Sequence, residues 1–194
     1  LRHLVLLQGH LRMDEVAGTE TPITDAVVPA GTFTMTLGST AGLSVGSRII
    51  VHRTPNQAWI DWLKMRTIFW TPDPGAVDWL PQDYDVEAPR IITAINGNTI
   101  TLDSPITQAI ETQYGGGEVY RYTFNGAIKQ SGIERIRLES TFTSPTDENH
   151  GWEAVRFAQA EDCWARQVTA KYFAFACVNT WIGSKNITVE DCAM

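Results

Sequence analysis

The stretch from about Gln130 to Met194 constrains the fold more than any other part of the chain. It has almost no helical periodicity. It is a series of short runs in which apolar and polar residues alternate, each followed by polar residues. Three runs look alike: Gly132-Ile133-Glu134-Arg135-Ile136-Arg137-Leu138-Glu139-Ser140, Asp162-Cys163-Trp164-Ala165-Arg166-Gln167-Val168-Thr169 and Lys185-Asn186-Ile187-Thr188-Val189-Glu190-Asp191. Setting Ile136, Ala165 and Ile187 in one column gives steps of 29 and 22 residues. Between them lie two more short runs, Ala154-Val155-Arg156-Phe157-Ala158 and Phe175-Ala176-Cys177-Val178-Asn179. Two or three short strands in each such interval are the signature of a solenoid coil. One coil cannot bury its inward face alone, so it stacks on the next, and parallel strands pair from coil to coil. An antiparallel sandwich also spaces short strands this way, but it joins them by tight two-residue turns, which this tail lacks.

The middle of the chain reads differently. Val27-Val28-Pro29-Ala30-Gly31 leads into a strand over Thr32 to Leu37, and a second strand runs from Arg48 to Arg53. Arg90 to Ile95 and Thr99 to Asp103 flank Asn96-Gly97-Asn98. An Asn-Gly pair between alternating runs is a strong hairpin signal. Glu118 to Thr123 adds a strand after Gly115-Gly116-Gly117, a tight turn that lacks the Lys-Ser/Thr of a phosphate loop. Ala58 to Met65 predicts one or two helical turns. The Pro-rich, aromatic stretch after it (Phe69, Trp70, Pro72, Pro74, Trp79, Pro81, Tyr84) predicts irregular structure. Leu4-Val5-Leu6-Leu7-Gln8-Gly9 again has the look of a coil. The expected architecture is all-β: parallel β-helix coils over 1–26 and 124–194, interrupted by a small antiparallel β-insert over 27–123.

Composition narrows the function classes. With a net charge of −7 and a pI near 5.0, the chain lacks the basic face of a general nucleic-acid or anionic-membrane binder. An anionic polysaccharide stays possible, because a groove can be locally basic or can hold Ca²⁺. No apolar run approaches the roughly 20 residues of a membrane span. The three cysteines, Cys163, Cys177 and Cys192, form no Cys-x-x-Cys pair, which argues against zinc. They read either as small buried hydrophobes or as one disulfide with a leftover thiol in a secreted protein. The start on Leu1, in what reads as mid-strand, is the expectation for a fragment or for a mature form without its leader.

The tail resembles the pectate-lyase-like right-handed parallel β-helix proteins. The matching elements are Gly132 to Leu138, Asp147-Glu148-Asn149-His150-Gly151-Trp152, Asp162 to Ala170 and Ile187 to Cys192. The segment from Val28 to Tyr122 looks like the β-insert carried by a large group of these proteins. The resemblance implies a right-handed coil, more coils than this chain holds, and a protein of the cell surface or exterior that meets polysaccharide. It carries over no catalytic residue, since nothing here matches the catalytic arginine or calcium-carboxylate set of the well-known pectate lyases.

The residues themselves offer three constellations. The loop Asp147 to Trp152 gathers two carboxylates, an amide, an imidazole and an indole. A polysaccharide lyase needs a base near the working pH and a group that neutralises the uronate carboxylate. His150 fits the base, and Asp147 with Glu148 fits a Ca²⁺ neutraliser. The same loop reads equally as a solvated turn whose carboxylates bind backbone N–H groups, with Trp152 either anchoring it or stacking on sugar. The second constellation is the cations Arg135, Arg137, Arg156, Arg166, Lys171 and Lys185. Arg156 and Arg166 suit substrate carboxylates, and Arg137 and Arg166 share a column in the alignment above. These cations suit ion pairs with Glu139, Glu153, Glu161 or Glu190 just as well. The third is the aromatic set Trp59, Trp62, Trp70, Trp79 and Tyr84, which suits sugar stacking or the core of a small insert.

The leading expectation is a lyase-like protein acting on or binding an extracellular acidic polysaccharide. In it His150, Asp147, Glu148, Arg156 and Arg166 are catalytic, and Trp152, Lys171, Trp70 and Trp79 bind substrate. The rivals are a structural or adhesive β-helix that self-associates through its open ends, and a non-catalytic glycan-binding module built on the Trp-rich loop.

Overall fold

A computed structural model describes residues 3–8, 14–66, 68–69, 76–147 and 149–194. In chain order its strands are β1 (His3–Gln8), β2 (Asp14–Glu15), β3 (Thr21–Pro22), β4 (Val27–Val28), β5 (Thr34–Thr36), β6 (Arg48–Arg53), β7 (Ile68–Phe69), β8 (Ala76–Val77), β9 (Val86–Asn96), β10 (Thr99–Leu102), β11 (Ile110–Glu111), β12 (Gly117–Thr123), β13 (Ile128–Lys129), β14 (Gly132–Glu139), β15 (Glu153–Ala158), β16 (Ala160–Glu161), β17 (Trp164–Lys171), β18 (Ala176–Thr180) and β19 (Thr188–Glu190). Among the described residues one short α-helix, α1 (Gln57–Trp62), interrupts them. The chain divides into two compact units. The first joins Leu1–Met13 to Phe124–Met194, and the second is Asp14–Thr123.

In the first unit every ladder is parallel. Three sheets are formed: β13–β16, β14–β17–β19 and β1–β15–β18. The chain visits them in the same order each time, and successive visits lie side by side. Gly132 pairs with Trp164 and Trp164 with Thr188, steps of 32 and 24 residues. Ile128 pairs with Ala160, and Glu161 bridges to Lys185, the same two steps. These steps correct the column drawn from sequence. Ile136 lies beside Val168 and Ile133 beside Ala165, so Arg137 lies beside Thr169 and does not share a position with Arg166.

The reason for the shift is a backbone feature that apolar alternation does not reveal. Two columns of residues take the left-handed conformation, one residue per coil. Gln130, Asp162 and Asn186 (φ 49°, 53° and 55°) form one; Arg135, Gln167 and Asp191 (φ 51°, 50° and 51°) form the other. Each such residue costs a non-glycine side chain about 1–2 kcal/mol, least for Asn and Asp. It turns the chain without a Gly or Pro to mark the place. Asn186 Nδ2 donates to Asp162 Oδ1 at 2.9 Å along the first column, and Arg135 Nε to Gln167 Oε1 at 3.2 Å along the second. Within β17 the kink breaks strict alternation. Arg166 and Gln167 both face solvent, while Ala165, Val168 and Ala170 are buried. They pack with Leu138, Val155, Phe157 and Phe173 into one apolar core.

The second unit is antiparallel. Its main sheet runs β2–β12–β6–β9–β10–β5, with β3 also beside β12. Thus 14–22, expected among the coils, pairs with the antiparallel strands. The β9–β10 hairpin is present, but Asn96 pairs with Thr99, so Gly97-Asn98 forms the turn. Gly97, at φ 59°, occupies the first central position that a type II′ turn reserves for glycine. Asn56 caps α1 by accepting the Trp59 N–H at 3.1 Å. The Pro-rich stretch is not wholly irregular: β7 and β8 pair antiparallel, with Pro72 and Pro74 falling between them. Ile49, Val51, Ile92, Ile100 and Val119 anchor this unit's core.

Candidate functional site

The kinked sheet β14–β17–β19 carries a polar groove of about 160 Å³ lined by Glu134, Arg135, Arg166, Gln167, Glu190 and Asp191. Its origin is the second left-handed column. Because residues 134, 166 and 190 stand in register, and the next residue in each coil bends the chain, six long polar side chains converge on one strip. Arg166 is the centre. Its Nη1 lies 3.8 Å from Glu134 Oε1, one coil earlier, and its Nε 3.1 Å from Glu190 Oε2, one coil later. Trp164 Nε1–H donates to Glu134 Oε1 at 2.6 Å, which holds that carboxylate toward the strip. The indole itself covers Gly132: a Cβ there would sit 2.4 Å from it. The strip therefore alternates anion, cation and anion at the spacing of paired strands, about 4.8 Å, with the Gln167 amide beside them. Such a surface can donate and accept hydrogen bonds along an extended hydroxyl-bearing chain.

The residues singled out from sequence are not gathered at one place. Asp147 serves its own loop: Oδ2 accepts from the Thr143 N–H and hydroxyl, both at 2.9 Å, and Oδ1 accepts from the Asn149 N–H at 2.8 Å. Those backbone N–H groups, of Thr143 first and then Asn149, hold its carboxyl below the usual carboxylate range. Glu148 lies outside the described residues, as does Trp70. Among the described residues no group of three or more His, Cys, Asp or Glu side chains is placed to hold a metal ion.

His150 Nδ1 lies 2.8 Å from the Tyr172 carbonyl, so that nitrogen carries the proton and donates it. Phe142 and Tyr172 lie close by, with ring centroids 5.7 Å from His150 and 5.0 Å apart respectively from Phe142, and Lys171 Nζ stands 4.4 Å from the Tyr172 ring. Trp152 is partly exposed, and its carbonyl accepts from the Phe175 and Ala176 N–H groups.

Three of the four acidic residues named as alternative partners of those cations serve in that way, and the fourth, Glu161, pairs with Lys129, a cation outside that set. Glu190 pairs with Arg166, Glu139 with Arg137 at 2.9 Å, Glu161 with Lys129 at 2.8 Å, and Glu153 with Arg156 at 2.6 Å. Arg156 stands in the β1–β15–β18 sheet and Arg166 in the β14–β17–β19 sheet. In the second unit Trp79 stacks on Tyr84 at 3.9 Å, Trp62 lies 5.6 Å from Tyr114, and Trp59 lies under the Arg53 guanidinium. All three cysteines are free thiols.

Sequence reading groups Arg135 and Arg166 among the cations and Glu190 among their partners, but misses Glu134, Gln167 and Asp191, because the column it draws sets the runs in a different register. The signal that finds it is the five-residue interval from Gln130 to Arg135, from Asp162 to Gln167 and from Asn186 to Asp191, each ending at the strip.

No protein-family model and no curated protein sequence matches the chain. Among solved structures it is similar to the tailspike protein gp49 from Pseudomonas phage LKA1, with a TM-score of 0.45 and 13% identity, covering 98% of this chain and 35% of that one. It is also similar to the gp54 tailspike of Acinetobacter baumannii bacteriophage AP22, solved in complex with A. baumannii capsular saccharide (TM-score 0.43, 8% identity, 93% and 28% covered). A third is the Pseudomonas phage phi297 tailspike gp61 (TM-score 0.40, 14% identity, 84% and 31% covered). The chain thus spans about a third of the length of each. At TM-scores of 0.45 and below, with identities of 14% or less, none of these likenesses assigns an activity to this chain.

Proposed function

We propose that this chain is a segment of a right-handed parallel β-helix with an antiparallel insert, that it belongs to a secreted or surface-exposed protein, and that it binds carbohydrate along the β14–β17–β19 groove. Right-handedness is the rule for strands joined by parallel crossovers, and the constant visiting order of three parallel sheets supports the coil. The observation that carries the binding reading is the strip Glu134, Arg135, Arg166, Gln167, Glu190 and Asp191. Its three carboxylates outnumber its two guanidinium groups, which favours neutral or amino sugars over acidic ones. An oligosaccharide array probed with the native chain and with Arg166→Ala and Glu190→Gln tests this. We expect a set of glycans whose binding falls about tenfold or more in both variants, the loss that goes with one or two hydrogen bonds to charged groups. Binding that survives in both removes the groove from the site.

A second reading has its own support. The bond from Nδ1–H to the Tyr172 carbonyl fixes the His150 ring so that Nε2 is the nitrogen left to take up a proton, the role a lyase base needs. Elimination activity lost in His150→Ala and retained in Arg166→Ala would favour it over the groove.

A further inference from the structure

Two of the three thiols meet inside the first unit. Cys177 lies on β18, and Cys192 lies two residues past the end of β19. The ladders fix which way both point. Glu153 pairs with Ala176 and Val155 with Val178, so Cys177 stands beside Ala154. Thr169 bridges to Ala193, so Cys192 stands beside Val168. Ala154 and Val168 are both fully buried. The same two inward stations, one coil on, are held by cysteine. Both cysteines accordingly pack against the apolar core of this unit. The Cys177 thiol donates to the Val168 carbonyl at 3.8 Å, and the Cys192 thiol to the Ala165 carbonyl at 3.5 Å. Both therefore reach toward β17, and there they are hydrogen-bonding neighbours of each other.

Cys163 keeps different company. It is buried, and its thiol donates to the Glu161 and Ile128 carbonyls at 3.3 and 3.8 Å. Cys177 and Cys192 are both partly exposed, so a small reagent can reach them. Side chains whose thiols touch point toward each other, which is the condition for bridging two cysteines.

We propose that Cys177 and Cys192 are an oxidisable pair, which a low-molecular-weight disulfide converts to an intramolecular disulfide that fastens the coil from within, while Cys163 stays a thiol. Burial, and then the charge of Cys192, push the Cys177 thiol up, which leaves the first attack to Cys192. The Cys192 thiolate attacks the small disulfide and releases one small thiol. Cys177, once deprotonated, displaces the second. The Sγ–Sγ bond forms as the oxidant's S–S bond breaks. Two electrons pass to the oxidant, and its two sulfurs take up the two protons. The new bond closes residues 177–192 into a loop and ties β18 to the residue after Asp191, the last member of the polar strip. The inference does not depend on what that strip binds.

The test uses the full chain, reduced and then equilibrated without denaturant in a mixture of oxidised and reduced glutathione. The reaction is quenched with acid, the remaining thiols are blocked with N-ethylmaleimide in denaturant, and the peptides are mapped by mass spectrometry. We expect a monomer lighter by two hydrogens before blocking, one maleimide on Cys163, and a linked peptide pair holding Cys177 and Cys192. In Cys163→Ala the link forms unchanged. In Cys177→Ala, Cys192 stops at a mixed disulfide with glutathione. The urea midpoint of the linked form is expected to lie about 1 M above that of the reduced form, the shift that goes with closing a loop of this length. Three maleimides per chain, a link through Cys163 or a link between two chains overturns the proposal, and so does a midpoint that fails to rise. Where a variant does not fold, the map and the midpoint of the native chain decide alone.

Discussion

Replacing Arg156 by Met tests whether this guanidinium holds the coil together or serves chemistry. Glu153 is buried, at 4% exposed. Arg156 donates to both its oxygens, Nε to Oε2 at 2.6 Å and Nη2 to Oε1 at 2.9 Å, and Asn179 Nδ2 donates to Oε1 at 2.5 Å from the next coil. The guanidinium is itself covered by the Trp181 ring at 4.7 Å. Met keeps the aliphatic bulk and removes both charge-assisted hydrogen bonds from the buried carboxylate. Breaking a buried pair from one side costs about 3–5 kcal/mol. Asn179 and partial solvent access at Arg156 place this case near the lower end, about 3 kcal/mol. With a urea m-value of about 2 kcal/mol/M, the unfolding midpoint falls by about 1.5 M. Adding Glu153→Gln removes the buried charge and restores about half of the loss, since an amide is far cheaper to bury than a carboxylate that has lost this guanidinium. A midpoint unchanged in Arg156→Met, or a double variant no better than the single, would refute the reasoning. A catalytic Arg156 would instead show lost activity at unchanged stability.

Two further outcomes follow from contacts described above or beside them. Gly132→Ala places a methyl within 2.4 Å of the Trp164 indole, an overpacking that costs about 1–3 kcal/mol; denaturant unfolding followed by tryptophan emission measures it, and native stability in this variant contradicts the packing. In the second unit His52 lies 3.0 Å from Glu118 and 3.1 Å from Asp85, with Glu87 as its register partner and Tyr120 edge-on. Burial pulls the His52 pKa down, but the hydrogen bonds and charges of Glu118 and Asp85 outweigh it and raise the value. A raised pKa stabilises the fold fully below the ordinary histidine value of about 6.5, and that contribution is lost as pH rises through the higher folded value. His52→Gln is therefore expected to flatten stability against pH above about 6.5. A proton-resonance titration of His52 with its midpoint at or below that value would contradict this.

What the sequence shows of the fold is what short apolar runs and turn dipeptides can carry. The strands at Arg48–Arg53 and Gly132–Glu139, the hairpin beside Gly97 and the parallel pairing of His3–Gln8 follow from short apolar-rich runs and an Asn-Gly turn signal. The register of the coils was not legible that way. It depends on left-handed Gln, Asp, Asn and Arg residues, which carry no composition signal because any of them also occurs on a plain solvated strand. The 14–22 segment was misplaced because two-residue strands such as β2 and β3 are defined by their partner β12 and have no period of their own. The candidate site divides along the same line. Asp147 was visible as a polar loop residue, yet its role is local and fixed by Thr143 and Asn149. Arg166 and Glu190 are legible as possible partners, but only the stacking of β14, β17 and β19 adds Glu134 and makes them a strip.

The left-handed columns also sort the chain by how freely its length can change. From one column to the other every coil uses the same five-residue interval, ending at Arg135, Gln167 and Asp191. The unequal coils, stepping by 32 and then 24 residues, take up most of their difference elsewhere. The connection from β14 to β15 runs over residues 140–152, whereas that from β17 to β18 needs only 172–175. A residue inserted inside the five-residue ruler would put every later side chain on the wrong face of its sheet. A residue inserted in 140–152 moves only a surface loop, at little entropic cost. The loop that carries His150 is thus an exchangeable cassette beside an invariant frame. The chain can change length there by insertion and deletion, while the strip on β14, β17 and β19 can change only by substitution.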